Sequence, residues 1–379
     1  MYIERDLGRI LQKALFSGKI LVVYGPRQAG KTTLVKKLIE PYGEKARYID
    51  CELLENKDLL LSRPSIELFS LIKNYKIVVF DEAQVIPEIG SILKTLFDHH
   101  PEVQYIATGS SSFDLINSVS EPLTGRSFEY TLYPLSIVEL VKTTFDAEQK
   151  ISEWMRFGFY PGVTGTEQEK IKILSTLTSQ YLYKNVLSIG EIKKPELILK
   201  LLKLLALQLG QEVSYRELAT KLETSQQTIE RYVDLLEKNF IITKLSGYSK
   251  NMRNEVTRTK KIYFVDMGVR NVLIENFQAI NVINRTDVGA LFENLAIVER
   301  LKTIAHHDLQ FINRYFWRTF SQQEVDYLEE HAGMLKAFEF KWNREQKTWA
   351  PPRSFTLAYP DAQFALVTPK DVLDFVREE

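Results

Sequence analysis

The sequence runs to 379 residues, 45% of them apolar and 26% charged, with 49 basic residues against 49 acidic ones. At roughly 100–200 residues per domain that length asks for two to four domains, and the apolar share excludes global disorder. A net charge of zero excludes a chain that coats nucleic acid by bulk electrostatics, while leaving room for a local basic patch. The single cysteine, Cys51, forms no internal disulfide and no cysteine zinc cluster, which points to reducing surroundings. The start, MYIERDLGR, lacks the apolar stretch of a signal peptide, and no apolar run approaches the roughly 18 residues that cross a bilayer. The expectation is a soluble, cytoplasmic protein without a membrane partner.

Up to about Lys142, short apolar runs alternate with stretches of helical length. KILVVYG (19–25), ARYIDC (46–51), YKIVVFD (75–81) and VQYIATG (103–109) suit strands buried on both faces of a parallel sheet, joined in βαβ fashion. Glycines 158, 162 and 165 with Pro161 then punctuate a connection. A mostly helical region follows. ELILKLLKLLALQLG (196–210) repeats leucine at helical spacing and stops at Gly210. SYRELATKLE (214–223) and SQQTIERYVDLLEKNF (225–240) each open on a serine able to cap a helix, and the turn at Glu223–Thr224 reads as a helix-turn-helix with a wing strand at 241–250. The last part mixes strands at 261–266 and 335–342 with a helix at 290–304. The expected division is 1–150, 151–255 and 256–379.

Residues 25–32, Gly-Pro-Arg-Gln-Ala-Gly-Lys-Thr, fit G-x-x-x-x-G-K-[ST] between a strand and a helix, the context that a phosphate-binding loop requires. Gly25, Pro26, Arg27, Gln28, Ala29 and Gly30 supply a backbone that folds around phosphate, with Lys31, Thr32 and Thr33 at the start of the helix. Lys31 is expected to reach the β- and γ-phosphates of ATP, and Thr32 to ligate Mg²⁺. KIVVFDE (76–82) completes the site: Asp81 supports the metal, and Glu82 is placed as the general base that activates water. Two weaker elements follow. Thr108 or Ser110, at the end of a strand, is expected to sense phosphate or orient water, with a plain Gly-Ser turn as the alternative. Arg126, in LTGR, reads either as a catalytic arginine acting within or between subunits or as a surface ion pair. Arg27 is equally open.

Together GPRQAGKTTL, VVFDEAQ, ATGSSS, LTGR and TLYPLS (131–136) resemble a prokaryotic family of AAA-type ATPases that carry a C-terminal domain of uncharacterised function. The resemblance runs on through KIYFVDMGVR (261–270) and ALFEN (290–294). It implies a P-loop NTPase fold, a parallel sheet flanked by helices, followed by a helical, winged-helix-like region and a C-terminal α/β domain. It also implies Gln84 of DEAQ as a family feature. One departure is Tyr183-Lys184-Asn185, where the family leads one to expect an Arg-Asp pair.

The C-terminal part has its own resemblance. Asp326, Glu339 and Lys341, with Glu293 on a preceding helix, resemble the PD-(D/E)xK nuclease pattern, in which two acids chelate Mg²⁺ and the lysine stabilises hydroxide or phosphate. Strand alternation puts Glu339 and Lys341 on one face. Cleavage, docking on a degenerate nuclease fold and a plain salt-bridged strand all stay open. From 244 to 261, Lys244, Lys250, Arg253, Arg258, Lys260 and Lys261 face one acid, Glu255, as a DNA-contacting wing would require. Winged helices also bind proteins. The five histidines form no metal constellation and read as surface residues. The expected activity is Mg²⁺-dependent ATP hydrolysis coupled to domains that engage DNA or a protein partner. The alternatives are a nucleotide-gated DNA-binding switch with little turnover and an ATP-coupled, metal-dependent nuclease. Oligomeric state stays open.

Overall fold

Successive side chains of a strand point to opposite faces, so the uninterrupted apolar run Ile20–Tyr24 demands cover on both sides. The computed structural model supplies that cover. It describes residues 2–61, 65–110, 122–181, 195–249, 260–306, 311–343, 345, 346 and 348–377. They fall into two compact units. In the first, Met1–Leu135 with Lys238–Phe240, Ile20 and Val22 pack with Val78, Phe80, Tyr105 and Ala107 in one apolar layer. Leu21 and Val23 pack with Ile77, Val79 and Ile106 in the opposite one.

Besides short 3₁₀ turns, the elements of this unit are α1 (Asp6–Ala14), β1 (Ile20–Tyr24), α2 (Lys31–Ile39), β2 (Ala46–Asp50), α3 (Leu54–Leu61), α4 (Ser65–Ile72), β3 (Ile77–Asp81), α5 (Ile89–His99), β4 (Gln104–Gly109) and β5 (Ser127–Thr131). The strands pair in parallel in the order β2-β3-β4-β1-β5. Because β4 lies between β1 and β3, the C-terminal ends of these three strands sit side by side. The four strands read from the sequence are all present. β5 carries no apolar run to announce it: it is an edge strand with Phe128 and Glu129 exposed, defined by its pairing of Ile20 with Ser127 through Tyr24 with Thr131.

The second unit, Ser136–Glu237 with Ile241–Glu379, contains α6 (Ile137–Leu140), α7 (Thr144–Phe157), α8 (Glu167–Tyr181), α9 (Pro195–Leu207), β6 (Glu212–Val213), α10 (Tyr215–Lys221), α11 (Gln226–Lys238), β7 (Ile242–Gly247), β8 (Lys260–Phe264), α12 (Met267–Leu273), α13 (Val288–His306), β9 (Asn313–Arg318), β10 (Glu324–His331), β11 (Met334–Phe340), α14 (Arg353–Ala358), β12 (Gln363–Val367) and α15 (Val372–Arg377). Ser214 and Ser225 each accept a backbone N–H three residues on, the capping role their positions suggest. The strand after the helix pair is not a separate wing. β7 pairs antiparallel with β8 and parallel with β9 inside one sheet ordered β12-β11-β10-β9-β7-β8-β6. A division at 255 therefore falls between two strands bonded to each other, and the first unit closes at 135 rather than 150.

Buried charges lock this unit. Asp266 caps α12 by accepting from Gly268 N and Val269 N, and it also accepts from Phe159 N at 2.7 Å. A Cβ on Gly158 would lie 2.0 Å from Asp266 Oδ1, which explains the glycine there. On α13, Arg300 makes a two-pronged bond to Glu329 at 2.7 and 2.8 Å, with both side chains buried. Tyr327 O–H donates to the same carboxylate at 2.9 Å. His306, expected at the surface, is buried at the end of α13, where the helix is covered nearly all round; His307 lies outside the described residues.

Removing one member of a buried ion pair strands the other charge, at a cost of about 3–5 kcal/mol. Glu329→Ala is expected to lower unfolding stability by that amount. Urea denaturation followed by circular dichroism, with the exposed-site control Glu153→Ala, checks it.

Candidate functional site

The loop after β1 turns on residues with unusual backbone. Gly25, Gln28 and Gly30 have φ of 154°, 60° and 101°, backbone that lets the chain turn sharply. At Gly25 the need is steric: a Cβ would stand 2.0 Å from the carbonyl oxygen of Leu132, which is backbone and cannot yield. Arg5, buried and unremarked in the sequence, braces the loop from behind. Its guanidinium donates to Ala29 O at 2.7 Å and to Tyr133 O at 2.6 Å. Arg27 faces Glu52 at 3.5 Å.

Lys31, the first residue of α2, is buried, and its ammonium donates to Gly25 O at 2.9 Å and Pro26 O at 3.0 Å. It bridges the mouth of the loop it belongs to. Burial pulls it down to about 8, partly offset by the charges of Glu82 and Asp81.

Asp81, the last residue of β3, gathers three hydroxyls. Thr32 Oγ1 donates to Oδ2 at 2.7 Å, Tyr48 OH to Oδ2 at 2.5 Å, and Thr108 Oγ1 to Oδ1. Thr32 and Asp81 are thus joined at the N-terminus of α2, a donor set of hydroxyl and carboxylate oxygen that suits Mg²⁺. Tyr48, on β2, left no sequence signal: nothing in ARYIDC sets it apart from a core tyrosine. Burial, followed by the bond to Asp81, raises its hydroxyl well above the usual range, so it acts as a donor.

Glu82 has left-handed backbone at φ 51°. Its N–H donates to Thr108 Oγ1 at 3.0 Å, and its carboxylate accepts from Gln84 Nε2 at 2.6 Å. Gln84 Nε2 also donates to Ser110 Oγ at 3.1 Å. The two strand-end residues therefore have different partners: Thr108 touches Asp81 and Glu82, whereas Ser110 touches Gln84. Ser111 lies outside the described residues.

Arg126 stands elsewhere. In a parallel sheet the residue just before a strand lies at the edge opposite the strand's end, and Arg126 precedes β5 beside the start of β1. It is held there by Asp98, through Nε at 2.8 Å and Nη2 at 3.2 Å. Within one chain it does not meet the loop, and the surface ion-pair alternative describes its contacts.

In the second unit, α13, β10 and β11 bring Glu293, Asp326, Glu339 and Lys341 into one electrostatic cluster. Lys341 pairs with Glu339 at 2.7 Å, and Asp326 Oδ2 accepts from Phe340 N at 2.9 Å. Glu339 Oε2 is buried with no hydrogen-bond partner among the described residues. Burial raises Asp326 and Glu339, and for Glu339 the Asp326 charge adds to it. Glu293 departs from the expected role. It accepts from Tyr263 OH at 2.6 Å and pairs with Lys261 at 3.0 Å, and burial lifts it to about 7. Among the described residues no three histidine, cysteine or acidic side chains are arranged to hold a metal.

Lys261, expected on a basic wing, is 1% exposed and bonded to Glu293 and Glu324. Lys244 is likewise engaged by Asp234 and Glu237 at 2.5 and 2.8 Å. Acids invisible to a local charge count thus take two members of the basic stretch. Lys250, Arg253, Glu255 and Arg258 lie outside the described residues, as do Tyr183, Lys184 and Asn185. No described helix is long and apolar enough to cross a membrane.

Residues 17–141 match the family described as AAA domain. Residues 148–279 and 288–375 match two families described as domains of unknown function, DUF8612 and DUF4143. Similar over nearly the whole chain is an uncharacterised protein of Mycobacterium tuberculosis, 27% identical across 96% of this chain and 79% of its own length. An uncharacterised protein of Haemophilus influenzae is 26% identical over 75% of this chain and 74% of its own. Solved structures with partial likeness include domain III of the Thermotoga maritima replication initiation protein DnaA, at 15% identity, 59% of this chain, 93% of that one and a TM-score of 0.29. The Candida albicans Pif1 helicase matches at 13% identity, 46% of this chain, 54% of that one and a TM-score of 0.27. Site geometry and family match agree on the first unit: residues 17–141 are similar to an AAA-type P-loop domain.

Proposed function

We propose that the first unit binds ATP with Mg²⁺ and hydrolyses it, and that the nucleotide state governs what the second unit does to a DNA or protein partner. The observation that carries this reading is the 2.7 Å contact between Thr32 and Asp81, with Glu82 one residue further on. Lys31 exchanges its two carbonyl acceptors for phosphate oxygens, Thr32 and Asp81 would hold the metal, and Glu82 takes the proton from the attacking water. Mg²⁺, when bound, neutralises charge on the phosphates. Thr108 fixes the relative placement of Asp81 and Glu82 by bonding both.

A second reading concerns the second unit. The succession α13-β9-β10-β11-α14-β12 gathers Glu293, Asp326, Glu339 and Lys341, which supports a nuclease-like fold. The bare oxygen of Glu339 suits a cation shared with Asp326. The capture of Glu293 by Lys261 and Tyr263 favours docking over cleavage. The helix pair and the exposed side chains near its turn, among them Gln226 and Gln227, leave DNA contact as a proposal.

Truncating Lys31 to alanine is expected to cost about 2–5 kcal/mol of nucleotide binding, read by calorimetry with ATP and Mg²⁺. Glu82→Gln is expected to bind ATP normally and to lose roughly 10²–10⁴-fold in kcat. Turnover at the wild-type rate removes the base assignment. The pH dependence follows from Lys31, which is near 8 when free of nucleotide and rises when phosphates neutralise it. Affinity is therefore flat below pH 8 and weakens as pH rises above it, with up to one proton taken up per ATP. Calorimetry at pH 8.5 to 9 in buffers of different ionisation enthalpy measures that uptake. For the second unit, Mn²⁺-dependent cleavage of plasmid DNA that disappears in Asp326→Ala and Lys341→Ala marks a nuclease, and no cleavage above those variants marks a docking fold.

A further inference from the structure

The carboxamide of Gln84 makes two bonds through one nitrogen, to Glu82 Oε2 at 2.6 Å and to Ser110 Oγ at 3.1 Å. Only the amide nitrogen can face an ionised carboxylate, so the orientation of this side chain is fixed by chemistry. Gln84 Oε1 is buried and accepts from no donor among the described residues, which leaves the two bonds from Nε2 to hold the group. Glu82 itself stands in left-handed backbone, a conformation that a residue with a side chain keeps only where its surroundings impose it. The imposition comes from β4 twice over. Thr108 takes the Glu82 N–H, and Ser110 anchors the glutamine that grips the carboxylate. Main chain and side chain of one residue are tied to the end of the same neighbouring strand.

We propose that Gln84 is a positioning residue for the hydrolytic step: anchored on Ser110, it holds the Glu82 carboxylate by Oε2 so that Oε1 is presented to the attacking water. The proposal rests on the reading of Glu82 as general base. A glutamate side chain has three rotatable bonds, and a misplacement of about 1 Å in a catalytic group costs up to roughly 100-fold in rate. Among the described residues Gln84 makes no hydrogen bond to Thr32, Asp81 or the phosphate loop, so its loss bears on turnover and leaves nucleotide capture alone.

The test uses the full-length protein in steady-state ATPase assays with Gln84→Met, which keeps length and bulk without the donor, and with Gln84→Ala. Both are expected to lose about 10- to 100-fold in kcat with KM and ATP affinity unchanged. Ser110→Ala, which leaves the Gln84–Glu82 bond in place, is expected to lose less. Gln84→Met placed on top of Glu82→Gln should slow the enzyme no further, because both act through one carboxylate. If Gln84→Met turns over at the wild-type rate while Glu82→Gln is inactive, the positioning role is wrong and the base assignment survives. If Glu82→Gln is fully active, the base assignment fails and takes the positioning role with it. A loss confined to KM or ATP affinity overturns the proposal as well, since it marks a binding or folding defect.

Discussion

A single carboxylate organises the business end of the first unit. Asp81 is buried at the end of the inner strand β3 and draws in hydroxyls from α2, β2 and β4. Each hydrogen bond to a charged acceptor contributes about 1.5–3 kcal/mol, and an unpartnered buried carboxylate is costlier than any of them. Three separate segments are thereby held in register around one atom group. The phosphate loop inherits its position from this arrangement, because Thr32 follows Lys31 directly and cannot be fixed without fixing its neighbour. Arg5 adds a second tether, joining the carbonyl of Ala29 inside the loop to that of Tyr133 just after β5.

The second unit solves a harsher version of the same problem. Four acids, Glu293, Glu324, Asp326 and Glu339, stand close together, and hydroxyls alone cannot balance that many negative charges. The balance comes from cations. Lys261 reaches Glu293 and Glu324, Arg318 reaches Glu324 at 3.4 Å, and Lys341 takes Glu339. Buried charge is tolerated only when paired, and here the pairing decides which acids are left with spare oxygens. Glu293 gives its Oε1 to an ammonium and a phenol together, whereas Glu339 has a buried Oε2 with no hydrogen-bond partner among the described residues. The residue types of a nuclease site are present, and their partners divide them into two camps.

Much of the first unit was legible because its signals are local. A glycine-rich loop between an apolar strand and a helix, and an apolar strand ending in two acids, specify chemistry within ten residues of text. The strand β5 was not legible, since an edge strand with exposed side chains has no apolar period to read. Arg126 stays open between its two roles in the sequence for a related reason: the text gives a flexible turn, but only the direction of β5 says at which edge of the sheet that turn lies. Tyr48, Arg5 and Gln84 act through contacts with residues that are distant in sequence or carry no pattern, so no spacing rule singles them out. In the second unit the helix pair and its serine caps were readable from period and composition. The fate of Lys244 and Lys261 was not, because the acids that neutralise them lie on other segments.

The position of β7 has a practical corollary. It is an inner strand, with β8 on one side and β9 on the other, and the natural-looking place to cut the gene runs between it and both neighbours. Either fragment would expose a row of bare amide groups suited to pairing with another molecule, the geometry that seeds aggregates. Expression clones that begin or stop near 255 should therefore yield insoluble material, whereas a cut close to 135 respects every hydrogen-bonded ladder in the latter part of the chain.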